Sequence, residues 1–281
     1  MYKIVLGYNI ETLPEDTILA LNRAKQLSMH ISQEQVDFFD KKGYVAVENI
    51  LSPAEVEYYR KVYEDFLDNK IDASRFRSDL GGFVEGDKPV EAKERITQIM
   101  LPSRLMPELL QESLHKKTMM VARQLLGDDM DLDFDMLIDK APYSNTPTPW
   151  HQDCAYWISM PDVRAASCWV ALDDAIMDNG CMWYVPGSHL QPVRSHRPAG
   201  KGGGALQCDA DESEGVAVEI KAGSCVWHHG GTLHYSRGNS TGSRRRAFIN
   251  NFRPLEMIRF EREQGFDHTG ERDVRNNKAK D

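Results

Sequence analysis

No apolar run in this 281-residue chain approaches the ~18 residues that a membrane-crossing helix needs. The opening Met1-Tyr2-Lys3-Ile4-Val5-Leu6-Gly7 also lacks the long apolar stretch of a secretory signal. Together these absences predict a cytoplasmic protein with no membrane partner. Cysteine is scarce: Cys154, Cys168, Cys181, Cys208 and Cys225 form an odd set without a Cys-x-x-Cys pair. That excludes a disulfide framework and a cysteine-rich zinc site and predicts reduced, mostly buried thiols. Positive charge is in deficit, with 34 Lys and Arg against 43 Asp and Glu and a formal net charge of −9. A nucleic-acid partner is therefore not expected, although the local run Arg244-Arg245-Arg246 calls for its own explanation. Internal repeats and low-complexity tracts are missing too. The stretch Gly200-Lys201-Gly202-Gly203-Gly204 has no Lys-Ser/Thr of a phosphate-binding loop and opens no helix, so it reads as a plain loop.

What is present describes a globular protein, 41% hydrophobic and 27% charged, of a length that one β-barrel with helical additions can fill. The first part reads as mostly helical. Apolar spacing predicts a helix over 15–29, and Ser32 with Gln35 forms a capping box that opens a second helix running to Gly43. A strand is expected over 44–50. Ser52-Pro53-Ala54-Glu55 then repeats the start signal for a helix reaching about Asp68. The charged segment 70–94 reads as a loop or lid, and 107–126 as a helix closed by Gly127. From Asp131 the pattern changes to short β-rich runs at 134–138, 167–172, 181–185, 216–220, 224–227 and 246–252, separated by turn residues. The fold expected is mainly β with flanking helices around a double-stranded β-helix, a cupin-like jelly roll. One domain should span 1–281, with a mostly helical part (1–130) resting on a jelly-roll core (131–254) and a frayed tail (267–281).

The chemistry-bearing stretch is Trp150-His151-Gln152-Asp153. In extended backbone, positions i and i+2 share a face, so the imidazole of His151 and the carboxylate of Asp153 can reach one small volume. Two His and one carboxylate on one face of an octahedron is the ligand set of non-haem Fe(II) oxygenases. With 9 His and 43 acidic residues, one His-x-Asp carries little weight alone. Downstream, His228, His229 and His234 are the candidates for a second imidazole. A 2-oxoglutarate cosubstrate would further require a guanidinium for its distal carboxylate. Arg245 follows His234-Tyr235-Ser236 across the turn 237–243, so His234 and Arg245 can face one interior, with His228 as the rival of His234.

Four segments in order carry a resemblance: Pro149-Trp150-His151-Gln152-Asp153; Cys168-Trp169-Val170-Ala171-Leu172-Asp173-Asp174; Asn179-Gly180-Cys181-Met182-Trp183-Tyr184-Val185-Pro186-Gly187-Ser188-His189; and His234-Tyr235-Ser236 with Asn239 and Arg245. The chain resembles the phytanoyl-CoA dioxygenase family from about Val36 to Phe252. The resemblance implies an Fe(II)- and 2-oxoglutarate-dependent dioxygenase that uses O₂, with ascorbate as a supporting reductant. It implies His151, Asp153 and His234 as iron ligands and Arg245, Ser236 and Trp169 as the cosubstrate site, with an auxiliary residue among Lys93, Arg95 and Gln98. Related halogenases carry a small residue where this chain has Asp153, so the expected reaction is hydroxylation of an unactivated C–H bond of a small molecule, with release of succinate and CO₂.

Other residues receive plainer expectations. His189 reads as a structural group beside a turn, and Arg244 and Arg246 should point away from Arg245 toward solvent or a surface carboxylate. The loop 70–94 and the segment 156–164 are expected to frame a substrate mouth, with Tyr156, Trp157 and Met160 as an apolar wall and Arg164 or Lys140 as a partner for an anion. Two other classes fit part of the pattern: a metal-dependent cupin-like isomerase or hydrolase, and a non-catalytic metal- or ligand-binding barrel. Neither has need of a grip on a dicarboxylate tail, which is what sets Arg245 and Ser236 apart.

Overall fold

A computed structural model describes residues 29–81, 94–199 and 205–269. Most of the helix expected over 15–29 lies outside these residues, as do Lys93 and the glycine run at 200–204. Ser32 caps α1 (Gln33–Lys42) through the reciprocal bonds with Gln35, and Gly43 closes it at a φ of 80° that favours glycine. β1 (Tyr44–Val47) is shorter than the 44–50 expected, because Asn49 adopts a left-handed φ of 55° and turns the chain. Ser52 and Glu55 form the second capping box, at the start of α2 (Pro53–Leu67).

The segment 70–94 is not all loop. Arg77–Asp79 forms β2, which pairs antiparallel with β3 (Ile96–Met100). A short α3 (Pro102–Leu105) follows. The helix expected over 107–126 is split: a 3-10 turn spans Pro107–Gln111, Glu112 is extended, and α4 runs Ser113–Leu126 before Gly127. The remaining strands are β4 (Met130–Lys140), β5 (Thr148–His151), β6 (Ala166–Ala171), β7 (Met182–Tyr184), β8 (Arg197–Pro198), β9 (Leu206–Gln207), β10 (Val216–Val218), β11 (Cys225–His229), β12 (His234–Ser236) and β13 (Arg245–Pro254), with α5 (Leu255–Glu263) last.

Seven strands form one sheet in the order β1-β11-β6-β13-β4-β3-β2, and four form a second, β10-β7-β12-β5. β1, β2 and β3 belong to the large sheet, which corrects the reading of 1–130 as a helical annex: the sheet draws strands from both halves of the chain. The central strand β6, with sequence Ala-Ser-Cys-Trp-Val-Ala, is buried along its whole length. Alternation cannot show there, because both faces are covered. On the outer face Cys168, Val170, Trp227, Leu137, Phe248 and Phe252 meet Phe39 of α1, Tyr59, Tyr63 and Phe66 of α2, and Val121 and Leu125 of α4. On the inner face Trp169, Ala171, Val226, Ala247 and Ile249 meet Met182 and Tyr184 of the small sheet. Tyr44 stacks on Tyr184 with centroids 4.9 Å apart. Fully burying side chains of this size contributes roughly 2–3 kcal/mol each. All five cysteines are free thiols, four of them buried.

Two features have no signal in the local sequence. α5 follows β13 directly, and the start of the expected frayed tail is tied down: His268 Nε2 lies 2.9 Å from Glu261 Oε2 and 3.2 Å from Asp133 Oδ2. The other such tie joins α2 to α4. Lys117 Nζ donates to Glu55 at 2.9 Å and to the Ile50 carbonyl at 2.9 Å. Burial pushes the Glu55 carboxyl up, but hydrogen bonds from Ser113, the Ser52 N–H and Lys117 outweigh it and hold the group at about 2. A carboxyl lowered in the folded state stabilises above its unfolded pKa, about 4.5, and loses that contribution as pH falls through about 2. Glu55→Gln should therefore cost on the order of 1–2 kcal/mol near neutral pH, since it leaves the Lys117 ammonium half-paired. Urea unfolding of both proteins between pH 7 and 2 checks this, and the difference should shrink as the pH drops.

Candidate metal centre

β12 pairs antiparallel with β5 in a register that sets His234 opposite His151. Their rings lie 4.2 Å apart, both side chains at most one-tenth exposed. Each imidazole is fixed by its own strand. His151 Nδ1 lies 2.8 Å from the Pro149 carbonyl and His234 Nδ1 lies 2.8 Å from the Thr232 carbonyl. A carbonyl can only accept, so each Nδ1 carries a proton and each ring is held with its Nε2 on the other side. Burial lowers the His234 pKa well below its usual value and keeps that ring neutral.

Strand β5 ends at His151, and Asp153 opens a 3-10 turn (Asp153–Tyr156). Gln152 between them is extended, so His151 and Asp153 do share a side as the spacing predicts. The Gln152 side chain goes the other way, donating to the Gly231 carbonyl at 2.8 Å and accepting from the Arg194 N–H at 2.9 Å. Asp153 Oδ1 stands 3.6 Å from His151 Nε2 and 3.5 Å from His234 Nε2. The donor atoms of His151, Asp153 and His234 all lie within 4.8 Å of one another. Burial pushes the Asp153 carboxyl up, but the neighbouring His234, His151 and His228 outweigh it and hold it well below the usual carboxylate range. Two imidazoles and one carboxylate converging on a point suit a small divalent transition metal.

His228, the rival for the second imidazole, belongs to neither the triad nor the bulk core. It contacts the other carboxylate oxygen, its Nε2 lying 3.1 Å from Asp153 Oδ2. Ser167 Oγ donates to the same oxygen at 2.8 Å, and Asn251 Nδ2 donates to Ser167 Oγ at 2.9 Å. Sequence spacing carries no signal for Ser167 or Asn251, which sit on β6 and β13 and meet Asp153 only through the fold. His229 points elsewhere, accepting from the Gly231 N–H at 3.0 Å beside His189. His189 itself bonds the Asp40 carbonyl at 3.0 Å, consistent with a structural group.

Arg245 stands on the inner face of β13, 1% exposed, its guanidinium 5.0 Å above the Trp169 ring. Its Nε and Nη1 are buried without a hydrogen-bond partner among the described residues. Burial lowers its pKa to about 10, although Tyr63 and Asp139 pull the other way. Directly opposite in the strand pairing is Lys140, also fully buried, whose Nζ donates only to the carbonyls of Thr146, Ser236 and Arg237. The buried guanidinium, bonded to no carboxylate among the described residues, makes a strong local demand for an anion, while burial and then Arg245 push the Lys140 ammonium well below its usual pKa. Ser236, 2% exposed, lies beside them on β12, two residues beyond His234. Arg244 and Arg246 do face the opposite way, but toward buried or half-buried acids: Arg244 pairs with Asp139 and Arg246 with Asp173 at 2.8 Å.

Several expected mouth residues are placed otherwise. Arg164 is spent on Asp129 and Asp162, at 2.6 and 2.7 Å. Trp157 is buried under the Arg253 guanidinium at 3.9 Å, so it is core and not an open wall. Met160 Sδ meets Arg253 Nη1 at 3.6 Å. Tyr156 stays near the centre, its ring 5.8 Å from that of His151. Gln98 faces inward against Met136 Sδ at 3.4 Å, while the Arg95 N–H bonds Asp79. A second acidic cluster, Asp133, Glu261 and His268, also has its donors within 4.8 Å. Arg253 and Arg262 already fill it with ion pairs, so no cation is called for there.

A family model described as phytanoyl-CoA dioxygenase (PhyH) matches residues 39–247. A probable phytanoyl-CoA dioxygenase of Caenorhabditis elegans is 24% identical over 254 residues, covering 84% of this chain and 79% of that protein. Among solved structures, EvdO2 from Micromonospora carbonacea var. aurantiaca, complexed with 2-oxoglutarate, superposes with a TM-score of 0.65 at 27% identity, covering 80% of this chain and 91% of its own. The non-heme, alpha-ketoglutarate-dependent carbocyclase SnoK from nogalamycin biosynthesis gives a TM-score of 0.62 at 26% identity, covering 79% and 84%.

The converging donor set predicts how the protein takes up metal. The metal-free protein should bind one Co(II) per chain, and His151→Ala, Asp153→Ala and His234→Ala should each weaken uptake by more than about 100-fold. His189→Ala and His229→Ala, whose rings lie outside the converging group, should leave it unchanged. Calorimetric titration reads both sets, and retained affinity in Asp153→Ala would refute the assignment.

Proposed function

The chain belongs to the phytanoyl-CoA dioxygenase family, and we propose that it is an Fe(II)- and 2-oxoglutarate-dependent dioxygenase that hydroxylates an unactivated C–H bond of a small molecule. In this reading the two facing sheets are the double-stranded β-helix of such enzymes. The observation that carries the proposal is Arg245: a guanidinium buried beside the candidate metal centre, with Nε and Nη1 unpaired. A buried cation of that kind is costly unless an anion completes it. The distal carboxylate of 2-oxoglutarate answers the demand with two parallel charge-assisted hydrogen bonds, and Lys140 opposite is already occupied by three carbonyls.

His151, Asp153 and His234 would hold the iron. Bound iron, with 2-oxoglutarate and O₂, supplies the oxidant for hydrogen removal, the cosubstrate leaving as succinate and CO₂. The residues do the rest. The Pro149 and Thr232 carbonyls orient the two imidazoles before any metal arrives, and Arg245 with Ser236 fixes the far end of the cosubstrate over Trp169. The inner wall of Trp169, Ala247 and Ile249 keeps bulk water from the reacting atoms. Tyr156, beside His151, is the residue best placed to touch a substrate next to the metal. The carboxylate at position 153 argues against halogenation, since it occupies the place a halide would need. The net charge of −9 argues against nucleic acid as substrate.

The similarity to a carbocyclase makes ring formation the second reading for the same site. Mass spectrometry separates the two, because hydroxylation adds one oxygen atom and cyclisation removes two hydrogens. The test of the main proposal is succinate release from 2-oxoglutarate with Fe(II) and ascorbate. Arg245→Ala should raise the 2-oxoglutarate Kd by about 100-fold, near 3 kcal/mol, with Co(II) affinity unchanged. Asp153→Ala should abolish turnover. A wild-type protein that holds metal yet binds no 2-oxoglutarate would defeat the proposal.

A further inference from the structure

The two oxygens of Asp153 face different company. Oδ1 looks toward His151 and His234, 3.6 and 3.5 Å from their Nε2 atoms. Oδ2 takes Ser167 Oγ at 2.8 Å and His228 Nε2 at 3.1 Å. We propose that His228 and Ser167 are positioning residues that clamp Oδ2, so that Asp153 can offer a metal Oδ1 alone. The inference rests on the metal-site reading above and adds to it a device for keeping coordination positions open.

Each donor in the clamp is itself oriented. Asn251 Nδ2 donates to Ser167 Oγ at 2.9 Å, occupying one lone pair and leaving the hydroxyl proton for Asp153. Tyr184 OH lies 3.3 Å from His228 Nδ1. Because Nε2 must carry a proton to bond a carboxylate, Nδ1 is the acceptor and Tyr184 the donor. Ser167, His228, Tyr184 and Asn251 are 3%, 3%, 0% and 0% exposed, so bulk water does not compete with these hydrogen bonds. The four come from four strands, β6, β11, β7 and β13. Local sequence spacing could not have assembled them.

A carboxylate oxygen has two in-plane lone pairs, and both on Oδ2 are used by donors. Turning Oδ2 to the metal would break two buried hydrogen bonds and leave His228 and Ser167 unsatisfied. The clamp therefore holds the protein to three ligand atoms, leaving three of six positions for cosubstrate and oxygen. His228 is not a fourth ligand in this arrangement: it lies against the far oxygen and outside the group whose donors converge within 4.8 Å.

The experiment uses Co(II) with the full-length protein in the absence of oxygen and 2-oxoglutarate, reading affinity by titration and geometry by visible absorption. His228→Leu and Ser167→Ala should each weaken Co(II) binding about 10- to 100-fold and alter the absorption, as loss of a partner to a ligand does elsewhere. His228→Gln, which keeps an N–H donor, should recover affinity to within about threefold of wild type. Wild-type affinity and an unchanged spectrum in both His228→Leu and Ser167→Ala would overturn the clamp. So would loss of binding in His228→Leu and His228→Gln as complete as in His234→Ala, since His228 would then be a ligand. If H228L does not fold, judged by circular dichroism, S167A, which removes a single oxygen atom, decides the same question. No Co(II) uptake by wild type would instead remove the metal site itself, a failure distinguishable from failure of the clamp.

Discussion

The pairing of β12 with β5 sets His234 across from His151, and the inner cavity is arranged around that one register. A shift of β12 by one residue would turn His234 to the other face of the small sheet, away from His151. The register is held from two sides. β12 also pairs with β7, with His234 opposite Tyr184, and Leu233 between the two contacts is fully buried, its N–H bonded to Ser188 Oγ. Moving His234 would thus mean exposing Leu233 and unpairing strands on both flanks.

Around that register the interior is divided by charge. At one place three ligand-type side chains converge, each imidazole held through its Nδ1. At another, Arg245 and Lys140 sit buried without a carboxylate. Trp169, Ala247 and Ile249 line the same inner face and offer chiefly apolar surface. An arrangement of that sort is costly in an isolated chain, because unpaired buried cations and a buried carboxylate both destabilise it. Its cost becomes intelligible if a metal and a dicarboxylate complete it. By contrast the network of Asp133, Glu261, Arg253, Arg262 and His268 is self-contained, with acids and guanidiniums already matched.

The outer shell supports this interior without taking part in it. α1, α2 and α4 cover the far side of the large sheet, and β1, from the first half of the chain, pairs with β11, the strand that carries His228. Arg244 and Arg246, which bracket Arg245, are satisfied on that outer side by Asp139 and Asp173. The run of three arginines thus splits by the two-residue period of a strand, one inward and two outward. Its middle member is left alone for want of an acid on the inner face.

Local order is largely written in the sequence. Both capping boxes, at Ser32 and Ser52, open helices where they stand, because a cap is a contact between residues three apart. Six of the strands after Asp131 fall on the expected β-rich runs, with β4 and β13 extending beyond them, while the short β5, β8, β9 and β12 lie on none of those runs. The convergence of His151, Asp153 and His234 is legible as well, since His151 and Asp153 are two residues apart and the choices for the third are few, and so is the inward burial of Arg245. What the sequence cannot decide is anything that depends on which strands become neighbours. The recruitment of β1 to β3 into the large sheet, the burial of Trp157 under Arg253, and the capture of Arg164 by Asp129 are of this kind. So is the partition of the three downstream histidines: His234 to Asp153 Oδ1, His228 to Oδ2, His229 to neither. Residue type and spacing determined what chemistry the chain could do, because those are properties of side chains and of one strand's pleat. Only the tertiary structure decided which oxygen each histidine meets, because Ser167, His228 and Asn251 reach Asp153 across distances in sequence that no local rule spans.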